Sequence, residues 1–280
     1  MVGSMALGRR LLGMYIPLSL FLIFLLFPFY WMLTVSFKPT EELFDLQRSP
    51  FVIQHFTLDS YTYLFRETAF ESWVKNTLIV ATASTAISLF CSILIGYALA
   101  RLRFPGSNTM GIAIFLAYLV PPTLLFLPLA QVVARLDLYN TYWALVLTYP
   151  TQLIPFASWT LMGYFRTIAP EVEESAMIDG CSRLGILVKI ILPLALPGVL
   201  SAGIFAFTLS WNEFIYALTF VSSSEVKTVP VGVVTELVEG DVYHWGALMA
   251  GALLGSLPVA VMYSFFVEYY VAGITGAVKE

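Results

Sequence analysis

Residues 166–197 read RTIAPEVEESAMIDGCSRLGILVKIILPLALP, a charged stretch between two long apolar ones. Pro170 suits the first position of a helix, where its missing N–H would be unpaired anyway, and Glu171, Glu173 and Glu174 favour the positive end of the helix dipole. Gly180 offers the left-handed conformation that ends many helices, and Ser182 is placed to cap a second helix running to Leu192. Pro193 and Pro197 then interrupt the chain before the next apolar run. The stretch is read as helix, glycine turn, helix, an amphipathic insertion in a chain whose neighbouring connections are short.

Outward from it the sequence is dominated by lipid-compatible residues. Of 280 residues, 59% are hydrophobic and only 11% charged, and the mean hydropathy is +0.84; soluble domains are about a quarter charged. A bilayer core about 30 Å thick takes about 20 apolar residues per helix. The stretches 11–35, 73–100, 109–134, 142–165, 198–221 and 245–272 all reach that length. The expected fold is therefore an all-α membrane protein of about six transmembrane helices, a single transmembrane domain over residues 1–280 with 166–197 as a loop within it. Kinks are expected at the internal prolines, chiefly Pro121 and Pro122. The run from Leu11 to Val35 behind Arg9 and Arg10 exceeds the roughly 7–15 apolar residues of a signal peptide, so it is expected to stay as the first helix.

An even number of spans places both termini on one side. Arg9, Arg10, Arg101, Arg103, Arg166, Arg183, Lys189 and Lys279 fall on one set of segments, and Lys38, Arg48, Arg66, Lys75, Arg135 and Lys227 on the other. Basic residues accumulate on the cytoplasmic side, so the first set, with the 166–197 loop and both termini, is expected there. No Gly-x-x-x-x-Gly-Lys-Ser/Thr phosphate loop occurs, nor a His-Glu-x-x-His motif or a nucleophile elbow. His55 and His244 are far apart, and Cys91 and Cys181 imply no disulfide framework. No catalytic residue, no metal site, no cofactor bound by this chain and no nucleic-acid partner is expected.

One spacing is specific: Glu174, Ser175, Ala176, three residues, Gly180, nine residues, Ile190, one residue, Leu192, Pro193. It resembles the EAA loop of the membrane-spanning subunits of bacterial binding-protein-dependent ABC importers, with Ser175 where alanine is usual. Further matches point to the maltose-type carbohydrate permease family, smaller six-helix partner. They are Ser36-Phe37-Lys38, Ala98-Leu99-Ala100-Arg101 before Phe104-Pro105-Gly106, Ile178-Asp179-Gly180, Trp211-Asn212-Glu213-Phe214 and the tail Gly276-Ala277-Val278-Lys279, which ends in Glu280 where glycine is common. The resemblance implies a type I ABC importer permease in the bacterial cytoplasmic (inner) membrane. It also implies a second permease subunit, two ATP-binding cassette subunits that carry ATP and Mg, and an extracytoplasmic solute-binding protein. Glu171, Glu174, Ser175, Ala176, Asp179 and Gly180 would then form the ATPase-coupling segment.

For a substrate path the candidates are Trp211, Asn212, Glu213 and Tyr216, with Gln152, Tyr149 and Asn76 behind them. Glu213 is the acid placed inside a span, and an intramembrane ionisable residue is a functional candidate by default. An aromatic face beside hydrogen-bonding groups suits a sugar. The alternative is that Glu213 serves a kink structurally. In the last span, Ala247, Gly251 and Gly255 form a small-residue face for close helix approach, either within the chain or at a subunit interface. At the level of function the alternatives are an importer of a polyol or glycerol phosphate, and a stand-alone ion-coupled transporter or intramembrane enzyme. The last two would call for several buried charges, inverted repeats or a paired catalytic site.

Overall fold

The computed structural model describes residues 11–102, 104–239 and 242–276. Arg9, Arg10, Arg103, Asp241 and the tail from Ala277 to Glu280 lie outside the described residues. Among those described, three helices are long and apolar enough to cross a membrane alone: Leu12–Ser36, Phe70–Arg101 and Trp245–Glu268. Two pairs of helices are bent at short breaks, Ser107–Tyr118 with Pro122–Arg135 by 96° and Arg183–Leu194 with Leu196–Trp211 by 80°. At 1.5 Å per residue, Ser107–Tyr118 spans about 18 Å and Pro122–Arg135 about 21 Å, so neither crosses a core of about 30 Å alone. The break falls on Pro121 and Pro122, where the prolines remove N–H donors and bar the preceding residues from helical geometry.

The stretch 142–165 folds as Tyr142–Thr148 and Pro150–Thr167. It carries Thr148, Gln152, Ser158 and Thr160, polar side chains that a span tolerates where protein shields it. Leu153, Ala157, Ser158, Leu161, Met162 and Phe165 are all buried. Among the described residues the single piece of strand is a two-residue antiparallel ladder, Val238 opposite Tyr243 and Glu239 opposite Val242, that leads into the last helix.

Contacts divide the chain into two compact units, one of residues 1–70 and 233–255, the other of 71–232 and 256–280. In the first, Ile16–Ser36 buries only Thr34, Val35 and Ser36, leaving a helix whose apolar sides all face outward as lipid requires. The 38–57 segment after it is knotted around two buried charges. Lys38 lies 3.5 Å from Glu42 and donates to the carbonyls of Ser49 (3.2 Å) and Pro50 (3.0 Å). Glu42 accepts from the N–H groups of Gln54 (3.1 Å) and His55 (3.0 Å). Burial opposes the Glu42 charge, yet these amides and the Lys38 ammonium outweigh it and hold the carboxyl below its ordinary value. Ala247 and Gly251 are buried, and a Cβ on Gly251 would stand 3.0 Å from Val233 and 3.6 Å from Leu64. At Gly251 the small-residue face therefore serves packing inside this chain.

In the second unit the Phe70–Arg101 helix buries Ser84, Ser88 and Ser92 at four-residue spacing, and Gly96 continues the row. Residues four apart share a helix face, and here that face meets Pro150–Thr167. Ser92 donates to Ile154 O at 3.2 Å, and a Cβ on Gly96 would stand 3.1 Å from Met162 N. The helices approach as closely as small residues allow. Two buried clusters result. One gathers Val80, Leu145, Tyr149, Tyr216 and Phe220; the other gathers Tyr97, Leu161, Phe165, Ala176, Ile186, Leu187 and Ile191. The second cluster roots the 166–197 loop in the bundle.

Candidate functional site

The loop is built from local signals. Pro170 opens the helix Pro170–Ile178 after the extended Ala169, with Glu171 and Glu173 in its first turn. Gly180, at φ +81°, closes it: its N–H donates to Met177 O (3.1 Å) and that of Cys181 to Ala176 O (3.0 Å). Those two bonds satisfy carbonyls that a helix end leaves open, and the positive φ is why glycine is needed. Ser182 Oγ accepts from Gly185 N at 3.2 Å and starts the next helical segment, which continues through a π turn over Leu187–Ile191 to Leu194. The chain turns at Ala195, between the two prolines.

The side chains sort into two faces. Glu171, Glu174, Ser175, Asp179 and Gly180 are exposed, and Ser175 is held by a bond from its hydroxyl to Glu171 O (2.8 Å). Ile178 beside them, an apolar side chain at the tip, is 87% exposed. Ala176 faces inward into the second cluster, so within the expected set it seats the helix rather than offering a contact.

The inward acid is Glu173. Its Oε1 lies 2.8 Å from Arg101 Nε, an approach oblique to the N–H direction, and its Oε2 accepts from Tyr97 Oη at 3.3 Å. Arg101 Nη2 also donates to Ile168 O, and the Arg183 side chain stands beside Tyr97. Here a cleft of about 1050 Å³ is lined by Arg101, Arg166, Arg183, Glu173 and Glu174 among others. Sequence reading used Glu173 only as a helix-start acid, and Arg101 as a topological mark and part of the Ala98–Arg101 family match, without pairing the two. The available signal was the four-residue spacing of Tyr97 and Arg101, which puts a hydroxyl and a guanidinium on one helix face.

The substrate-path candidates are divided. Leu196–Trp211 ends before a break, and the short helix Ile215–Phe220 follows. Glu213 bridges that break, accepting from the N–H groups of Tyr216 (2.9 Å) and Ala217 (3.1 Å), so its carboxylate caps the short helix. Tyr149 faces the Glu213 carboxylate, and Gln152 and Thr151 face the Tyr216 hydroxyl. Four candidates thus meet: Tyr149, Gln152, Glu213 and Tyr216. Trp211 is buried and stacks on Phe207 at 5.6 Å, whereas Asn212 is exposed and donates to Thr208 O at 2.9 Å. Asn76 binds the carbonyls of Glu225 (2.7 Å) and Lys227 (2.9 Å), tying the 222–228 connection to its helix.

Comparison with known proteins is extensive. A family profile described as "Binding-protein-dependent transport system inner membrane component" matches residues 92–276. The "Inner membrane ABC transporter permease protein YcjP" of Escherichia coli is 38% identical over 281 residues, covering 98% of this chain and 100% of its own length. The "Sulfoquinovosyl glycerol transport system permease protein SmoH" of Agrobacterium fabrum is 35% identical over 262 residues, covering 93% of this chain and 91% of its own. The "Trehalose/maltose transport system permease protein MalG" of Thermococcus litoralis is 34% identical over 258 residues, covering 91% of each. Among solved structures, a chain of a bacterial ABC transporter involved in the import of the acidic polysaccharide alginate shares the fold, with a TM-score of 0.80 at 18% identity. It covers 96% of this chain and 100% of that one.

Proposed function

Since the chain belongs to the family of binding-protein-dependent transport system inner membrane components, we propose that it forms half of the translocation pathway of an ATP-driven sugar importer. Family membership makes it a multi-pass inner-membrane permease that serves a solute-binding protein. The sugar reading is supported by relatives named for sulfoquinovosyl glycerol and trehalose/maltose and by the fold shared with an alginate importer. A second permease subunit completes the pathway. Two ATP-binding cassette subunits hold ATP and Mg, and this chain has no phosphate loop of its own.

In this reading both termini and the 166–197 loop lie in the cytoplasm, where the loop helix docks on an ATPase subunit. The observation that carries it is the loop itself: an exposed face of Glu171, Glu174, Ser175 and Asp179 on a short helix closed by Gly180 and rooted in a buried cluster. A rigid, rooted helix transmits displacement, whereas a flexible loop absorbs it. Glu174 pairs with a basic group of the ATPase, and Tyr149, Gln152, Glu213 and Tyr216 offer hydroxyl, amide and carboxylate groups along the solute path.

The test is Glu174→Lys in the purified complex. Like charge at a docked face costs several kcal/mol, more than about tenfold in affinity, so the ATPase subunit is expected to be lost on washing while membrane insertion is unchanged. Normal ATPase stoichiometry with normal uptake in Glu174→Lys overturns the docking assignment.

A further inference from the structure

We propose that Arg101 is the positioning residue that makes the loop and the Phe70–Arg101 helix move as one body, so that displacement at the docked face reaches the pathway instead of being lost in the loop. The inference rests on the proposed coupling role and adds the joint through which the loop acts.

Arg101 is the last residue of its helix, and its guanidinium reaches two points of the loop at once: the Ile168 carbonyl ahead of the loop helix and the Glu173 carboxylate in its first turn. Both charged side chains are nearly sealed from solvent, at 9% and 7% relative exposure. Tyr97, one turn earlier on the same face, adds a bond to the second Glu173 oxygen. The far end of the loop is fixed independently, by the Gly180 turn and by Ile186, Leu187 and Ile191 in the buried cluster. The near end has Ala169 at its cap, with no side-chain cap bond, and Pro170, with no N–H. Without Arg101 the segment 168–173 keeps Ile168 against the buried cluster and the Tyr97 bond to Glu173, but loses the one side chain that ties its two ends together. A planar fork with several donors can hold two acceptors in fixed relation; an ammonium is a single flexible point charge.

Placement of the charges also argues against a plain docking role for this pair. Glu174 faces out and is available to a partner, whereas Glu173 faces in and is taken by Arg101. Adjacent acids thus divide the labour, one for the partner and one for the lever's root.

The test uses the whole complex with spin labels at Ile178→Cys, 87% exposed on the loop, and Leu94→Cys, 41% exposed on the helix, in a chain carrying Cys91→Ala and Cys181→Ser. Mg-ATP with vanadate is the probe, and ATPase stoichiometry is measured in the same samples. With Arg101 present, the loop-to-helix distance is expected to be single, narrow and unchanged by nucleotide. In Arg101→Gln and in Glu173→Gln it broadens and shifts on nucleotide addition with the ATPase still bound, and the double variant is no worse than either single one, because both remove one joint. Arg101→Lys keeps the charge and gives partial broadening; it decides alone if Arg101→Gln does not assemble. A narrow, nucleotide-independent distance in these variants overturns the proposal. Failure of the coupling reading itself looks different, since the ATPase would then be absent from the complex with Arg101 intact.

Discussion

Glu42 holds the 38–57 segment together from inside, and its charge gives that segment a pH dependence with a definite sign. The folded carboxyl titrates below its ordinary value of 4.5 because it serves two backbone amides and Lys38. A group with a depressed folded value stabilises above the unfolded value, and that contribution is lost as pH falls through the folded one. Amide exchange at Gln54 and His55, corrected for intrinsic rates, should therefore be protected near neutral pH and released in acid, as the pH falls below 4.5 and through the lowered value of the folded carboxyl. In Glu42→Gln the protection should be low at both. Equal protection at both pH values in the native chain would contradict the assignment. The pair was only partly legible: Ser36-Phe37-Lys38 stood out as a family mark, but nothing in the local pattern announces that a lysine ending a span is 3% exposed and folded back onto two carbonyls. Partners 11 to 13 residues away are supplied by tertiary folding, which no period in the sequence records.

Elements whose limits depend on backbone chemistry were legible, and those that depend on neighbours were not. Pro170, Gly180 and Ser182 marked the loop helices because each acts through its own backbone or the next turn. Pro121 and Pro122 likewise marked the break in 109–134, where the two helices bend by 96°. The row Ser84, Ser88, Ser92 and Gly96 was missed because small residues within an apolar run leave the hydropathy nearly unchanged, while their consequence is the close approach of two helices. Glu213 could be read two ways, and its bonds to Tyr216 and Ala217 give it the structural role without removing it from the polar cluster. At the element scale the decisive variant is Gly180→Val. The added side chain would meet open space, so any effect comes from forcing a β-branched residue to φ +81°. Such strain costs about 1–3 kcal/mol, enough to unwind the Gly180 turn while leaving the spans intact. Trypsin cleavage after Arg183, exposed beyond the turn, should accelerate by about fivefold or more in a complex of normal size, whereas Gly180→Asn, which tolerates positive φ better, should stay near the native rate. Unchanged cleavage in Gly180→Val would show that the turn does not hold the loop.

At the scale of the whole molecule, family membership makes the chain a binding-protein-dependent transport permease of the inner membrane. A mechanism driven by an external ATPase requires a defined sidedness, because the loop helix can reach a cytoplasmic motor from one face only. The basic residues favour that face by eight to six, with Arg9, Arg10, Arg103 and Lys279 outside the described residues. Geometry adds that Arg101, Arg166 and Arg183 gather at a single cleft, so the charges behind the rule lie together as well as on the same set of loops. The connection 222–228 sits at the opposite end of the Phe70–Arg101 helix, bound to Asn76 near its start. Cys181 is an exposed native thiol beside the Gly180 turn and serves as reporter for the loop; Glu225→Cys, also exposed, reports the other end in a chain carrying Cys181→Ser. With the permease expressed without its ATPase, a membrane-impermeant maleimide applied to spheroplasts should label Glu225→Cys at once and Cys181 only after permeabilisation. The reverse order would place the loop outside the cell, beyond reach of any ATP-hydrolysing partner, and the coupling mechanism could not operate in that orientation.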